Sequence, residues 1–456
     1  MFISLGTRKS HFIPLAIFLS LFSIGVGKAL SLGSPWINLG LLGGLVAAYL
    51  AGIFFIDRKF ILALYLLTVV NLDYLRLLDE PFNVTVDILF TLTLVLLTMP
   101  LFLTGKLSWR QTPIQKAFLL YLAATLICVF FSVDTLVSIK RWVRYASYFL
   151  LICLLVDMGR DRATVEKYTR LLIYSALIPC LIGYYGLFTQ IPNLVGENLR
   201  FIYGIEMVRI KSTLSHANTF GLFLSIMILL SIGLLLRRGR RREIHGKLIL
   251  TGGLLFMLPM LYFTYSRIGW IMTALALLFL LVLQRRWRLL TMFPWLFGLF
   301  IWLIPGFLIR WSDIIDPTRP DSLDWRRSLY AFSLTKFTQE PIFGSGPGTF
   351  LKYVAFGKGY SQHHLWIGSL VEVGVVGTFA LAILLIVVWV QLIKYARKSP
   401  SALNFSALAI FSSLMFISFA GDPFNVPSAV IYLWALISLA AAEYRLPMWE
   451  PRAKQP

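Results

Sequence analysis

The chain has 456 residues, of which 58% are hydrophobic and only 14% are charged, and its mean hydropathy is +0.78. A soluble domain carries about 25% charged residues, so this composition excludes one and predicts an integral membrane protein. The formal net charge of +21 does not indicate a nucleic-acid partner, because the densest basic run, at 237–247, fits a loop at an anionic inner leaflet.

Apolar runs long enough to span a bilayer recur along the whole chain. About 20 apolar residues are needed for one span. We expect an all-α polytopic protein with about 12–14 transmembrane helices, forming one transmembrane domain over residues 1–456. Three of the runs are short enough to be re-entrant or tilted. The predicted segments are 11–31, 37–56, 60–76, 86–103, 117–133, 142–157, 171–190, 217–236, 248–266, 268–283, 290–308, 364–393, 402–420 and 428–443.

The connections between these segments predict the orientation of the chain. Cationic residues near membrane ends favour the cytoplasmic side, and here every second connection is basic. Most of the 42 Lys and Arg residues then lie on one side. We therefore expect both termini in the cytoplasm.

The longest polar connection is 309–363, which this orientation places outside. Trp325, Leu329 and Phe332 recur there at helical spacing, so 324–337 is predicted to form a short amphipathic helix on the membrane surface. The Gly- and Pro-rich stretch 341–350 then ends that helix. It lacks the Gly-Lys-Ser/Thr ending of a phosphate loop, and we expect a tight backbone path that returns the chain to His363.

Basic residues on the outer side call for a structural or functional explanation, because the positive-inside rule disfavours Lys and Arg there. Arg267 is the sharpest case, since it lies in a tight turn between two spans, where an uncompensated charge is costly. It either reaches out to headgroups and water or binds an anion through its planar fork of donors. The others gather at Lys140, Arg141, Arg144, Arg200, Arg209, Lys211, Arg326 and Arg327.

The five histidines fall into different environments. His11 and His245 lie at predicted cytoplasmic ends, and His216 begins a helix, where capping and packing are expected. His363 and His364 lie outside, at the head of an apolar run. A neutral imidazole can take a proton from a hydroxyl near pH 7, so histidine beside arginine suits the handling of a phosphate-bearing lipid.

Glu372 follows His363 in the same apolar run. In a continuous helix the two are separated by about 13 Å of rise and lie on nearly opposite faces. Glu372 is expected a few turns into the membrane, where an ionisable group links helices or serves a function. We favour pairing with a polar group on a neighbouring helix.

No residues form a pattern typical of a metal or disulfide site. Cys128, Cys153 and Cys180 all fall inside apolar segments, without ligand spacing. The aspartates of the external loop are spread over 313–324, with prolines between them. We expect no cofactor and a metal-independent reaction.

The stretch 363–377, HHLWIGSLVEVGVVG, resembles the HN…E.G..G signature of the O-antigen ligase and polymerase superfamily of bacterial envelope enzymes. Three further stretches are similar to motifs of that family, in the same order. They are Arg209 with the following STLSHANTFG, the turn with Ser266, Arg267 and Gly269, and Arg326 with Tyr330 followed by PIFGSGPGTF. The resemblance covers about residues 200–380.

This resemblance implies an inverting, metal-independent transferase in the bacterial inner membrane. It would move a glycan from an undecaprenyl-diphosphate carrier to an acceptor hydroxyl at the periplasmic face. By position, His363 would be the general base, Arg209 and Arg267 would hold the diphosphate, and Arg326 would shape the donor or acceptor site. Further candidates are Lys211, His364, Arg141, Arg144 and Glu372.

This sequence departs from the family pattern at three positions. His364 stands where an asparagine is usual, Ser212 where a glycine is usual, and Ala217 where a proline is usual. The spacing to Glu372 favours His363 over His364 as the base.

The acceptor stays open at this point. A ligase would use lipid A-core, a polymerase would use a second undecaprenyl-linked chain, and a protein O-oligosaccharyltransferase would use a protein. We favour the ligase because the external loop is single and compact. A transporter of lipid carriers is less favoured, because the predicted spans contain few charges besides Glu372. A scaffold without chemistry would not need arginines and a histidine on one face.

Overall fold

A computed structural model of the protein describes mainly residues 58–72, 112–190, 205–236, 244–303, 322–352 and 363–446. Shorter described pieces lie at 76–78, 84–85, 91, 93–99, 200–202, 354–355 and 358–359. The first two predicted spans, most of the basic run 237–247 and residues 309–321 of the long loop lie outside the described residues.

The described residues are mainly helical, so the prediction of an all-α polytopic membrane protein is confirmed. The number of 12–14 spans stays a prediction. Helices α1 to α13 run Arg58–Thr68, Pro113–Phe130, Thr135–Met158, Arg162–Tyr174, Leu177–Thr189, Ala217–Leu235, Ile244–Phe263, Arg267–Leu283, Trp287–Leu303, Ser322–Gln339, Leu365–Lys398, Ala402–Ile417 and Pro427–Arg445.

Six helices or helix pairs of the described ranges are long and apolar enough to cross a membrane, and α8 and α12 are shorter apolar helices. The six candidate spans are Pro113–Phe130, Arg162–Thr189, Ala217–Leu235, Gly246–Phe263, Leu365–Lys398 and Pro427–Arg445.

Three short antiparallel hairpins accompany the helices. They pair β1 (Arg76–Leu78) with β2 (Val84–Thr85), β3 (Arg200–Ile202) with β4 (Ile205–Met207), and β5 (Val354–Ala355) with β6 (Lys358–Gly359). In the β3–β4 pair Phe201 lies opposite Glu206.

Polar N-caps explain why several helices begin earlier than hydropathy predicts. The side chain of Asp134 accepts from the backbone N–H of Val137, so α3 begins at Thr135 rather than at 142. Asp161 caps α4 in the same way. The helix there begins at Arg162 rather than at 171. Polar first turns are invisible to a hydropathy window, which is why the predicted starts were wrong.

The contacts divide the chain into two compact units. The first comprises Met1–Tyr65 and Leu75–Leu107, and the second comprises Leu66–Tyr74 and Ser108–Pro456. All the candidate site residues belong to the second unit. The expected single transmembrane domain stays a prediction.

Helices α6 and α13 form the centre of the second unit, because most of their residues are buried. The ring of Tyr432 on α13 meets Phe223 of α6 edge-on, with 4.9 Å between centroids, and its hydroxyl donates to the carbonyl of Leu66. Helix α2 packs along α11, and α8 packs along α6. The N-termini of α6, α8 and α11 carry the candidate site.

Candidate functional site

Helix α11 is broken in its third turn, at Gly374, two residues after Glu372. Gly374 has φ +59° and ψ −164°, which interrupts the helix between Val373 and Val375. A left-handed φ with an extended ψ is tolerated essentially only by glycine. A Cβ at Gly374 would also collide with the backbone of Ile342. The break is therefore a built feature of this helix.

The Gly-rich stretch 341–350 lies in this break. The N–H groups of Ser345 and Gly346 donate to the carbonyls of Val371 and Glu372 at 2.9 and 2.8 Å. In the other direction, Val375 donates to the carbonyl of Pro341 at 2.9 Å. The stretch thus satisfies backbone groups that the break leaves open. Instead of simply returning the chain to His363, it joins the long loop to α11.

The same stretch also contacts the turn between α2 and α3. Val133 donates its N–H to the carbonyl of Ser345 at 3.0 Å, and the ring of Phe343 stacks on Phe131 at 4.2 Å. Gly346 has φ +108° and lies directly against Ser132, so no side chain fits there.

Glu372 holds this stretch through its side chain. Its Oε2 accepts a hydrogen bond from the N–H of Gly348 at 2.9 Å. The sequence did not predict this bond to the glycine stretch, and the expected pairing of Glu372 with a polar group on a neighbouring helix stays a prediction. Arg141 of α3 lies beside Gly348, and its charge interacts with Glu372.

Around Glu372 is a polar cluster that sequence reasoning missed in part. Arg141 donates to the amide oxygen of Asn425, and its charge also interacts with Asp422. Burial, together with the charge of Glu372, raises the pKa of Asp422 to about 7. A cavity of about 60 Å³ lies between these groups, and Tyr121 and Tyr145 also line it. Arg144 is half-buried one turn further along α3.

Helix α10 forms where an amphipathic helix was predicted, and its apolar residues pack against other parts of the protein. Leu329 is fully buried and packs with Phe350 and Val371, and Phe332 and Phe337 cover that cluster. The described part of the apolar face therefore packs on α11 and the glycine stretch, and its location at the membrane surface stays a prediction. The spacing of the apolar residues defines the face of a helix but not what covers it.

His363 lies immediately before α11, in a left-handed conformation with φ +52°. Its side chain is half-buried. Burial lowers its pKa to about 4, with smaller contributions from the charges of Arg326 and His216. The ring is therefore neutral at physiological pH and can accept a proton.

His364 has a different position from its neighbour, because it is the N-cap of α11. Its Nδ1 accepts from the backbone N–H of Ile367 at 3.3 Å, and the ring of Tyr330 meets it edge-on at 5.4 Å. Burial lowers the pKa of His364 as well. Capping therefore occupies Nδ1 of His364.

Arg209 and Lys211 lie in the segment that leads into α6, and both are buried. Arg209 Nε donates to the carbonyl of Thr264 at 3.2 Å, and Nη2 donates to Oδ1 of Asn218 at 2.9 Å. These bonds fix the direction of the guanidinium. Ser212, which replaces the usual glycine, keeps a left-handed φ of +55° and donates its hydroxyl proton to the carbonyl of Pro179.

Arg267 is the first residue of α8 and is half-buried. Ser266 caps this helix by accepting from the N–H of Gly269 at 3.2 Å. Because Thr264 in the same turn holds Arg209, the two predicted diphosphate ligands come from adjoining segments. Arg326 on α10 donates to the carbonyl of Ala420 at 3.3 Å.

The structure thus sorts the candidate residues into two groups. The basic cluster, as we name it here, consists of His363, Arg326, His216, Arg209 and Lys211, which are linked by electrostatic interactions. Arg141 and Glu372 belong instead to the polar cluster beneath the glycine stretch. Glu372 and His363 thus fall into different groups, and the expectation that Glu372 does not orient His363 stays a prediction.

His216 was expected only to cap a helix. It does cap α6, with Nδ1 accepting from the N–H of Asn218 at 3.0 Å, but it also belongs to the basic cluster. The sequence did not predict the contacts of four other residues. Asn218 and Tyr330 lie inside the quoted motifs but had no assigned role, and Asp422 and Asn425 were recognisable only as polar residues in an apolar region.

Apolar spanning helices with buried cations beside a neutral histidine define a polytopic membrane protein with a site suited to an anionic substrate. Residues 252–382, less than a third of the chain, match the family described as O-antigen ligase, and this match supports the resemblance to the O-antigen ligase and polymerase superfamily. The matched part includes Arg267, Arg326, His363 and Glu372, whereas Arg209 precedes it. No curated protein matches the sequence. The match supports a membrane glycosyltransferase of the O-antigen ligase and polymerase type.

Proposed function

We propose that the protein transfers a glycan from undecaprenyl diphosphate to an acceptor hydroxyl, as an O-antigen ligase with lipid A-core as acceptor. The observation that carries this proposal is a neutral histidine, His363, within a cluster of cations. Such a cluster attracts a diphosphate, and a neutral imidazole in it can accept a proton.

The proposed reaction needs one base and an anion site. His363 takes the proton of the acceptor hydroxyl while its oxygen attacks the anomeric carbon from the side opposite the diphosphate. The new C–O bond forms as the bond between the anomeric carbon and the diphosphate oxygen breaks, which inverts the configuration. The electron pair leaves on undecaprenyl diphosphate, so the added negative charge develops where the arginines lie.

Arg209, Arg267 and Arg326 are proposed to bind the diphosphate. A guanidinium presents five N–H donors and stays charged at any physiological pH. Arg209 uses Nε and one Nη2 hydrogen for Thr264 and Asn218, which orients the group before substrate arrives. Preorganised donors of this kind stabilise developing charge without having to reorient.

The location of the site follows from the predicted orientation. With both termini in the cytoplasm, the N-termini of α6, α8 and α11 face the periplasm of a bacterial inner membrane. The donor lipid would then reach the basic cluster from the outer leaflet. A polymerase or a protein O-oligosaccharyltransferase would use the same donor and differ only in the acceptor.

The test is a transfer assay with purified protein, an undecaprenyl-diphosphate glycan and two rival acceptors, lipid A-core and a second carrier-linked glycan. One new band on the lipid core is the result that the ligase proposal expects. A ladder of lengths on the carrier would identify a polymerase instead. Activity should be undiminished in EDTA, since the proposed base and anion ligands are side chains; loss of activity that added divalent metal restores would contradict this part.

A further inference from the structure

The cap on α6 fixes the hydrogen-bonding state of His216. Its Nδ1 accepts a hydrogen bond from the backbone N–H of Asn218 at 3.0 Å. A ring nitrogen that accepts from an N–H carries no proton, so the neutral ring has its proton on Nε2. His216 therefore offers a donor, Nε2–H, and no second acceptor.

The surroundings of His216 favour this neutral donor. His216 is exposed to solvent. Partial desolvation of its ring by the surrounding protein, together with the charges of Arg209 and Lys211, lowers its pKa to about 4. It also interacts electrostatically with His363. The ring is thus accessible to a ligand at the place where two buried cations lie.

Asn218 connects His216 to the proposed diphosphate site. Its backbone N–H binds Nδ1 of His216, while its side-chain Oδ1 accepts from Nη2 of Arg209 at 2.9 Å. One residue therefore fixes an imidazole and a guanidinium relative to each other. Paired donors held at a fixed separation are suited to neighbouring oxygens of one anion.

We propose that His216 is a further substrate-binding residue, whose Nε2–H donates to a diphosphate oxygen that Arg209 and Lys211 also bind. This inference rests on the proposed function. His216 keeps its proton throughout the reaction, whereas the proton of the acceptor hydroxyl goes to His363. The two histidines are thus a donor and a base, distinguished by which ring nitrogen a helix cap occupies.

His216→Ser and His216→Ala test this assignment, because serine keeps a good N-cap and alanine does not. Loss of a hydrogen bond to a charged group typically weakens binding affinity by roughly 10- to 100-fold. Both variants should therefore raise the KM for the donor by that factor and weaken inhibition by inorganic diphosphate equally. The KM for the acceptor should not change. The Tm of the serine variant should match wild type.

A serine variant with a normal donor KM and normal inhibition, beside an impaired alanine variant, would show that His216 only caps α6 and would overturn the proposal. The proposed function fails separately, if the wild type transfers no glycan. In that case calorimetric binding of inorganic diphosphate to the wild type and the serine variant still decides the role of His216. Equal affinity of the two would overturn it.

Discussion

At the residue scale, the cations proposed to bind the substrate also govern the protonation of the base. Burial and the charge of Arg326 keep His363 neutral in the unliganded protein, with a pKa of about 4. A bound diphosphate would offset part of that positive charge and stabilise the imidazolium. The pKa of His363 is therefore expected to rise when the donor binds, which strengthens it as a base.

This coupling predicts a specific pH dependence. The base must be neutral, so activity is lost as the pH falls through its pKa. The acid limb of kcat/KM reports the free enzyme and should lie well below pH 6.5, near 4, whereas the acid limb of kcat reports the complex and should lie at higher pH. Initial rates from pH 3 to 8 measure both. An acid limb of kcat/KM at or above pH 6.5 would contradict the assignment.

Arg267 gives a second prediction at this scale. Arg267→Lys keeps the positive charge but loses the planar fork, so kcat/KM should fall by roughly 10-fold or more if the side chain binds diphosphate. Arg285→Lys is the matched control, because Arg285 is exposed at the other end of α8. Equal activity of the two variants would mean that Arg267 contributes only charge or an interfacial anchor.

At the element scale, the break in α11 and the glycine stretch form one unit. Backbone hydrogen bonds run in both directions between 341–346 and 371–376, and the Glu372 carboxylate adds the bond from Gly348. Through this unit, the long loop that carries Arg326 is attached to the helix that follows His363. The geometry of the loop and that of the base are thus linked.

Glu372→Ala should therefore loosen the stretch. Loss of this charge-assisted bond should speed hydrogen exchange at the Gly348 amide by roughly 10-fold or more. Glu372→Gln retains an acceptor oxygen and should stay close to wild type. Glu166→Gln, at a half-buried position on α4, controls for the general effect of a removed charge. Unchanged exchange in Glu372→Ala would show that the backbone bonds alone hold the stretch.

The sequence predicted some elements well and others poorly for identifiable physical reasons. Apolar spans such as α6 were placed within a residue, because hydropathy measures their burial directly. Helix starts with polar caps, such as that of α3, were missed. The hydrogen bond from Gly348 to Glu372 and the burial of Leu329 were not predicted, because both depend on a glycine stretch that comes from a distant part of the chain.

For the candidate site, the sequence indicated residue types and their chemistry but not the contacts that hold them. Arginine and histidine on the outer side indicated an anion site, and the motif spacing singled out His363. The cap that occupies Nδ1 of His364, and the one that fixes His216, depend on backbone N–H groups that no residue pattern specifies.

At the scale of the whole molecule, distant segments contribute residues to the proposed site. Arg209 precedes α6, Arg267 begins α8, Arg326 lies on α10 and His363 precedes α11. Packing among the helices of the second unit brings these helix ends together. The residues of the proposed site therefore do not have to be close to one another in the sequence. A polytopic bundle can in this way build a polar site at its outer edge while its spans stay apolar.

The most direct measurement of the central claim is glycan transfer by purified His363→Ala, assayed beside wild type with an undecaprenyl-diphosphate glycan and lipid A-core. Loss of a general base typically costs about 100- to 10,000-fold in rate. The variant is expected to lose transfer to that extent while it inserts in the membrane and still binds inorganic diphosphate. Transfer at the wild-type rate by His363→Ala would contradict the assignment of His363 as the base.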